Sequence, residues 1–159
     1  MLKVLFLDDD PDRHIKFKRN VDGLPNSIIA YAFTYDQAIS YLSAETWWDV
    51  VYLDNDLSRE AAMGHPALGE KMGYHVAEYI VDLVGRYPER VPKMVVIHTL
   101  NFWYRTKMRD LLSKAGIPFR VEPFNKGLGK ELWRGLQQNL EIAVKYAQEA
   151  KEEITKEIT

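Results

Sequence analysis

Two short apolar runs that stop abruptly at aspartates, LKVLFL before Asp8-Asp9-Asp10 and DVVYL before Asp54-Asn55-Asp56, constrain this chain most. A nearly continuous apolar run closed off by charge reads as a strand covered on both faces, the situation of strands in a parallel sheet. SIIAYAF at Ser27–Phe33 and KMVVIH at Lys93–His98 have the same character, and Phe119–Glu122 is a shorter version. Between these runs the apolar period becomes helical. Pro11 suits the first turn of a helix capped by Asp10 or Asp9, and His14, Phe17 and Val21 recur at helical spacing until Asp22-Gly23 ends it. Thr34 and Gln37 make a capping box ahead of Ala38, Ile39 and Leu42. Gly73 opens a helix that buries Val76, Ala77, Ile80 and Val84, and Asn101 caps another that ends at Gly116. Ser58–Met72, with two glycines, a proline and little pattern, is expected to be a long loop.

Strand and helix alternate five times, which predicts an α/β fold, a doubly wound five-stranded parallel sheet with helices on both faces. In the flavodoxin-like order 2-1-3-4-5 the first and third strands would be neighbours and their terminal carboxylates would converge. A long amphipathic C-terminal helix is expected from about Gly129. Its apolar positions, among them Leu132, Leu136, Leu140 and Tyr146, exceed what one sheet face covers and suggest a homodimer through this helix. The 159 residues fit one domain over 1–150, with 151–159 as the charged, fraying end of that helix.

Lys and Arg number 21 against 23 Asp and Glu, a formal charge of −2, so no broad DNA-binding footprint is expected. With no cysteine, disulfides, thiolate metal sites and cysteine nucleophiles are excluded. No apolar run is long enough to span a bilayer, and the expected location is the cytoplasm, or the host cytoplasm for a phage-encoded chain.

In sheets of this kind ligands bind beyond the carboxyl ends of the strands. There the first strand delivers Asp8, Asp9 and Asp10, the third Asp54 and Asp56, and the fourth His98, Thr99 and Asn101. Carboxylates that converge this way repel one another unless a cation or a proton intervenes, and oxygen-only donors suit Mg²⁺ or Mn²⁺.

The pattern VLFLDDDP, then VVYLDNDL, then a hydroxyl residue after the fourth strand resembles the receiver domain of two-component response regulators. Leu53-Asp54-Asn55-Asp56-Leu57, Gly73-Tyr74 and His98-Thr99-Leu100-Asn101 are similar, more narrowly, to the cyclic-phosphate-processing receiver family. The resemblance implies that Asp8, Asp9 and Asp54 hold the metal, with Asp56 adding its backbone carbonyl. It implies Asp54 as phosphoryl acceptor, Thr99 as the switch hydroxyl, and a cis peptide before Pro123. Three departures stand out. Glu122 occupies the position of the receiver lysine, the segment after Asp54 is longer than in receivers, and Asn55 replaces the histidine the narrower pattern favours.

With a metal in place, His98 is a candidate general base or acid and Asn101 a candidate donor to a phosphate oxygen. The implied activity is that of a metal-dependent phosphoesterase or phosphate-handling protein acting on a nucleotide or RNA phosphate, cyclic phosphates included. The alternatives are a stand-alone receiver phosphorylated at Asp54 and a non-catalytic binder of a nucleotide second messenger. The expected partner is a phosphate-containing small molecule or an RNA end. Asp10 reads as a cap only, and His14 as a helix-surface residue. His65 reads as a solvated loop residue, and His75 as facing outward or lining the pocket rim. Arg105, Arg109, Lys126 and Lys130 are candidates for the positive charge missing at Glu122. Trp47, Trp48, Phe102, Trp103 and Tyr104 are read as core or interface aromatics, with a base-stacking wall as the alternative for Trp103 and Tyr104.

Overall fold

Parallel neighbours need a crossover, and a helix follows each of the first four strands. The computed structural model describes residues 2–22, 27–44 and 47–122, together with Glu152 and Lys156. Within them lie β1 (Leu2–Leu7), β2 (Ser27–Ala32), β3 (Val50–Leu53), β4 (Met94–Ile97) and β5 (Phe119–Val121). The helices are α1 (Pro11–Val21), α2 (Tyr35–Ser43), α3 (Arg59–Ala62), α4 (Gly73–Arg86) and α5 (Phe102–Lys114). All strand pairs are parallel, as the alternation predicts, and the order is the flavodoxin-like β2-β1-β3-β4-β5. The expected C-terminal helix, its dimer face and Pro123 lie outside the described residues. Among the described residues no helix is long and apolar enough to cross a membrane.

Side-chain alternation along the strands divides the core in two. Leu5, Leu7, Val51, Leu53, Val95 and Ile97 face the buried stripes of α2, α4 and α5. Val4, Phe6, Val50, Tyr52, Met94 and Val96 face Phe17 and Val21 of α1, where the Phe6 and Phe17 rings stack at 4.1 Å. Because both faces are covered, the strands carry continuous apolar runs instead of a clean alternation.

The caps follow the sequence. Asp10 accepts from the Asp12 N–H at 2.9 Å, Thr34 from Gln37 N–H at 3.1 Å, and Asn101 from Tyr104 N–H at 3.2 Å. Gly116 ends α5 at φ +70°, a left-handed position that favours glycine. The Ser58–Met72 segment departs from the expected loop. It holds the single turn α3, capped by Ser58, whose hydroxyl accepts from Ala61 N–H at 3.0 Å. One turn is too short to register as periodicity.

Helix α4 starts without a capping hydroxyl or carboxylate of its own. Its Tyr74 N–H donates to Asn55 Oδ1 at 3.1 Å, its Gly73 N–H donates to the Asn55 carbonyl at 2.9 Å, and His75 Nδ1 accepts from Met72 N–H at 2.9 Å. The approach is so close that a Cβ on Gly73 would collide with the Asp54 carbonyl. Gly73 therefore lets α4 seat directly on the end of β3.

Candidate metal and phosphate site

The sheet register brings the acidic ends together. Leu7 pairs with Leu53, and Leu53 with Ile97, so the next residues Asp8, Asp54 and His98 stand in a row at the carboxyl edge. Ladder bonds extend to them: Asp54 N–H donates to Leu7 O at 3.1 Å and His98 N–H to Leu53 O at 3.0 Å.

Asp8 is fully buried and held from several sides. Its Oδ1 accepts from Asp10 N–H at 2.8 Å, and its Oδ2 accepts from Arg13 Nε at 2.6 Å and from His98 Nε2 at 3.1 Å. Its carbonyl accepts from His14 Nε2 at 2.6 Å. Arg13 spreads over the whole cluster: Nη2 lies 3.3 Å from Asp54 Oδ2 and 3.5 Å from Asp9 Oδ1, and Nη1 lies 3.1 Å from Asp10 Oδ2.

These contacts set the charges. Burial acts to raise Asp8, but the hydrogen bonds from His98 and Arg13 outweigh it and hold its carboxyl below the usual range. Burial and then the Asp8 charge push Asp54 well above that range, against the weaker pull of Arg13. Asp9 is raised for the same two reasons. Burial pushes His98 down in spite of Asp8, which favours a neutral ring whose Nε2–H donates to the carboxylate.

Asp8, Asp9 and Asp54 each offer one oxygen within 4.8 Å of the others, a donor set of the kind Mg²⁺ or Mn²⁺ takes. Three carboxylates from two strand ends, all oxygen donors brought within reach of one another, fit a divalent cation. They open on a cleft of about 430 Å³ lined by Asp9, Arg13, Asp54, Asp56, Arg59 and Thr99, among others.

A model of the Cyclic-phosphate processing Receiver domain family matches residues 3–114. The chain belongs to that family. No curated protein matches it. Among solved structures it is similar to a CheY-like response regulator receiver domain protein of Methanospirillum hungatei, with 14% identity and TM-score 0.57 over 92% of this chain and 98% of that one. It is also similar to a response regulator of Burkholderia pseudomallei, with 16% identity and TM-score 0.59 over 99% and 75% of the two chains. That structure contains a phosphorylated aspartic acid, a calcium ion and citrate. A Thermotoga maritima response regulator matches at 14% identity and TM-score 0.54 over 87% and 99%. At these identities the likeness is one of fold.

In this receiver domain the remaining anticipated residues take different places. Thr99, 2% exposed, lines the cleft, and its Oγ1 accepts from Asn101 N–H at 3.1 Å. Asn101 turns its amide nitrogen to Asp56 Oδ1 at 3.2 Å, where Asn55 also donates at 3.1 Å. The Asp56 carboxylate thus lies outside the metal-type cluster, although Asp56 lines the cleft. His98 is fully buried and stacked on Phe6 at 5.1 Å, behind Asp8 and at one remove from the cleft. His98 thus faces Asp8 from behind and is not among the residues that line the cleft. Glu122 is buried, stands at the end of β5 and bears electrostatically on Tyr52, on the α1 side of the sheet, instead of lining the cleft. Arg105 and Arg109 are likewise not among the cleft residues, and Lys126 and Lys130 lie outside the described residues.

Two residues were misjudged or missed. His14 is buried, stacked on Phe33 at 3.9 Å, not on the helix surface. Its spacing with Phe17 and Val21 already placed it on the buried stripe. Arg13 drew no notice, yet it lies three residues after Asp10 and four after Asp9, the spacing of ion pairs on a helix, with a side chain directed back toward the strand ends. Of the aromatics, Trp48 is buried, with its indole N–H donating to Tyr41 O at 3.2 Å. Trp47, Phe102 and Trp103 are exposed and so are not core residues.

Proposed function

We propose that this receiver domain binds Mg²⁺ or Mn²⁺ through Asp8, Asp9 and Asp54 and processes a nucleotide or RNA phosphate, cyclic in form, in the adjoining cleft. The observation that carries this is the convergence of three carboxylates from two neighbouring strands within 4.8 Å at the floor of a cleft that also carries Arg13, Arg59 and Thr99. The family description is consistent with it. Hydrolysis of a cyclic phosphate adds water across one P–O ester bond and leaves a phosphomonoester and a hydroxyl. A bound divalent ion supplies polarisation of the phosphate and a water of lowered pKa. The protein's own part is to hold Asp8 ionised, through His98 and Arg13 in the metal-free protein, which makes His98 a positioning residue. Thr99, whose Oγ1 accepts from Asn101 N–H, keeps its own hydrogen to donate to a phosphate oxygen.

The test is calorimetric titration of Mg²⁺ and Mn²⁺ into wild type and Asp54→Ala, followed by turnover assays on 2′,3′- and 3′,5′-cyclic nucleotides. Saturable metal binding lost in the variant, with conversion to monoester, is the expected result. No metal binding in either protein refutes the reading, and tight binding with the nucleotide recovered intact replaces catalysis by sequestration. A second reading, phosphorylation at Asp54, is favoured by the place of Asp54 on the cleft floor. It requires acetyl phosphate to modify wild type but not Asp54→Ala.

A further inference from the structure

We propose that Arg13 is the resident counter-cation of the acidic centre: a divalent metal displaces it, and it then binds the phosphate, supplying the positive charge that Glu122 cannot. This rests on the metal-site reading above and adds a residue and a charge exchange to it.

One guanidinium touches all three candidate ligands, through Nε to Asp8 at 2.6 Å and through Nη2 to Asp54 at 3.3 Å and Asp9 at 3.5 Å. A fourth contact, Nη1 to Asp10 at 3.1 Å, completes its ring of carboxylates. An ion liganded by Asp8, Asp9 and Asp54 needs the same oxygens and supplies the same compensation, so guanidinium and metal compete. The cluster can release Arg13 without stranding Asp8, which keeps Asp10 N–H on Oδ1 and His98 on Oδ2.

The displaced side chain has somewhere to go. Arg13 lines the cleft beside Thr99 and its side chain is 26% exposed, whereas Asp8 behind it has no exposure. A planar guanidinium offers paired donors matched to phosphate oxygens. The acidic residue at the end of β5, by contrast, is buried near Tyr52, away from the cleft residues. An ordinary ion pair that only ties α1 to the strand ends would explain the contacts but predicts no exchange.

The experiment titrates MgCl₂ by calorimetry into wild type, Arg13→Ala and Arg13→Lys, then titrates inorganic phosphate into each Mg²⁺-saturated protein. Removing the competitor is expected to tighten Mg²⁺ binding about tenfold, the worth of one charge-assisted hydrogen bond, and to weaken phosphate binding by about the same factor. Arg13→Lys is expected to restore part of the phosphate affinity. Unchanged or weaker Mg²⁺ binding in Arg13→Ala overturns the exchange, and unaltered phosphate binding overturns the second role. If neither wild type nor Arg13→Ala binds Mg²⁺, the metal-site reading falls and this inference with it. If wild type binds and the variants match it, the inference alone falls. Should Arg13→Ala fail to fold, Arg13→Gln keeps donors without charge, and Mg²⁺ is expected to raise its Tm more than it raises that of wild type.

Discussion

Asp54→Asn is expected to make the metal-free protein more stable, against the usual direction for a buried substitution. The Asp54 side chain is 3% exposed and shares its corner with Asp8 and Asp9, each with an oxygen within 4.8 Å. At that limit, with an effective dielectric near 20, each like-charge pair repels by about 3.5 kcal/mol. The attraction to Arg13 at 3.3 Å returns about 5 kcal/mol on the same scale. Asparagine keeps the shape and an acceptor for Arg13 while removing both repulsions, a net gain of about 2 kcal/mol before the relief of desolvation. For a chain of this size that is a rise in Tm of roughly 4–8 °C. Burial raises the folded-state pKa of Asp54 above 3.8, so wild type loses stability as pH rises from 3.8 through that value, and the variant does not. The gap in Tm should therefore widen with pH. The assay is thermal unfolding in EDTA from pH 5 to 9, repeated with saturating Mg²⁺, which should raise wild type and leave the variant nearly unmoved. A lower Tm for Asp54→Asn in EDTA, or a gap that shrinks as pH rises, would refute the electrostatic account.

Burial lowers the folded-state pKa of both His14 and His98 below 6.5, so the unfolded chain takes up protons first and stability is lost as pH falls from 6.5 through the folded values. In the Asp54→Asn background, Tm should fall from pH 7.5 to 5.5, with a shallower slope after His98→Gln; an unchanged slope would count against it. Gly73→Ala should cost about 2 kcal/mol or more, because the new Cβ meets the Asp54 carbonyl, and should weaken Mg²⁺ binding as well as lower Tm. Asn55→Ala, which removes the acceptor for Tyr74 N–H, should cost about 1–2 kcal/mol in urea unfolding, and Asn55→Asp should recover part of it. Mg²⁺ at a hundred times its Kd should stabilise wild type by about 2.7 kcal/mol, reversed by EDTA.

The strands, the caps at Thr34 and Asn101 and the parallel sheet were legible because each rests on local chemistry: an apolar run, a side-chain acceptor at the right offset, a crossover of sufficient length. The strand order came with the likeness to flavodoxin-like sheets. The convergence of Asp8 and Asp54 followed from that order. Arg13 was legible only as a partner of Asp9 and Asp10 by spacing; its reach to Asp8 and Asp54 was not, because that depends on how α1 packs against the strand ends. His98 was located at the strand end by sequence, but its burial behind Asp8 was not, since that depends on stacking with Phe6, a packing relation that no spacing encodes. The role of Asn55 was hidden for a similar reason. It caps a helix that begins 18 positions later, across an intervening segment.

That last relation has an architectural consequence. The bond between Gly73 N–H and the Asn55 carbonyl closes the Ser58–Met72 excursion at its base, both feet standing beside Asp54. With the feet pinned, the exposed stretch in between can change length at little cost, since doubling a closed loop costs only about 0.6 kcal/mol. The excursion already carries Arg59 to the cleft. It is thus a place where insertion or grafting can change the lining of the cleft while the carboxylates beneath stay fixed.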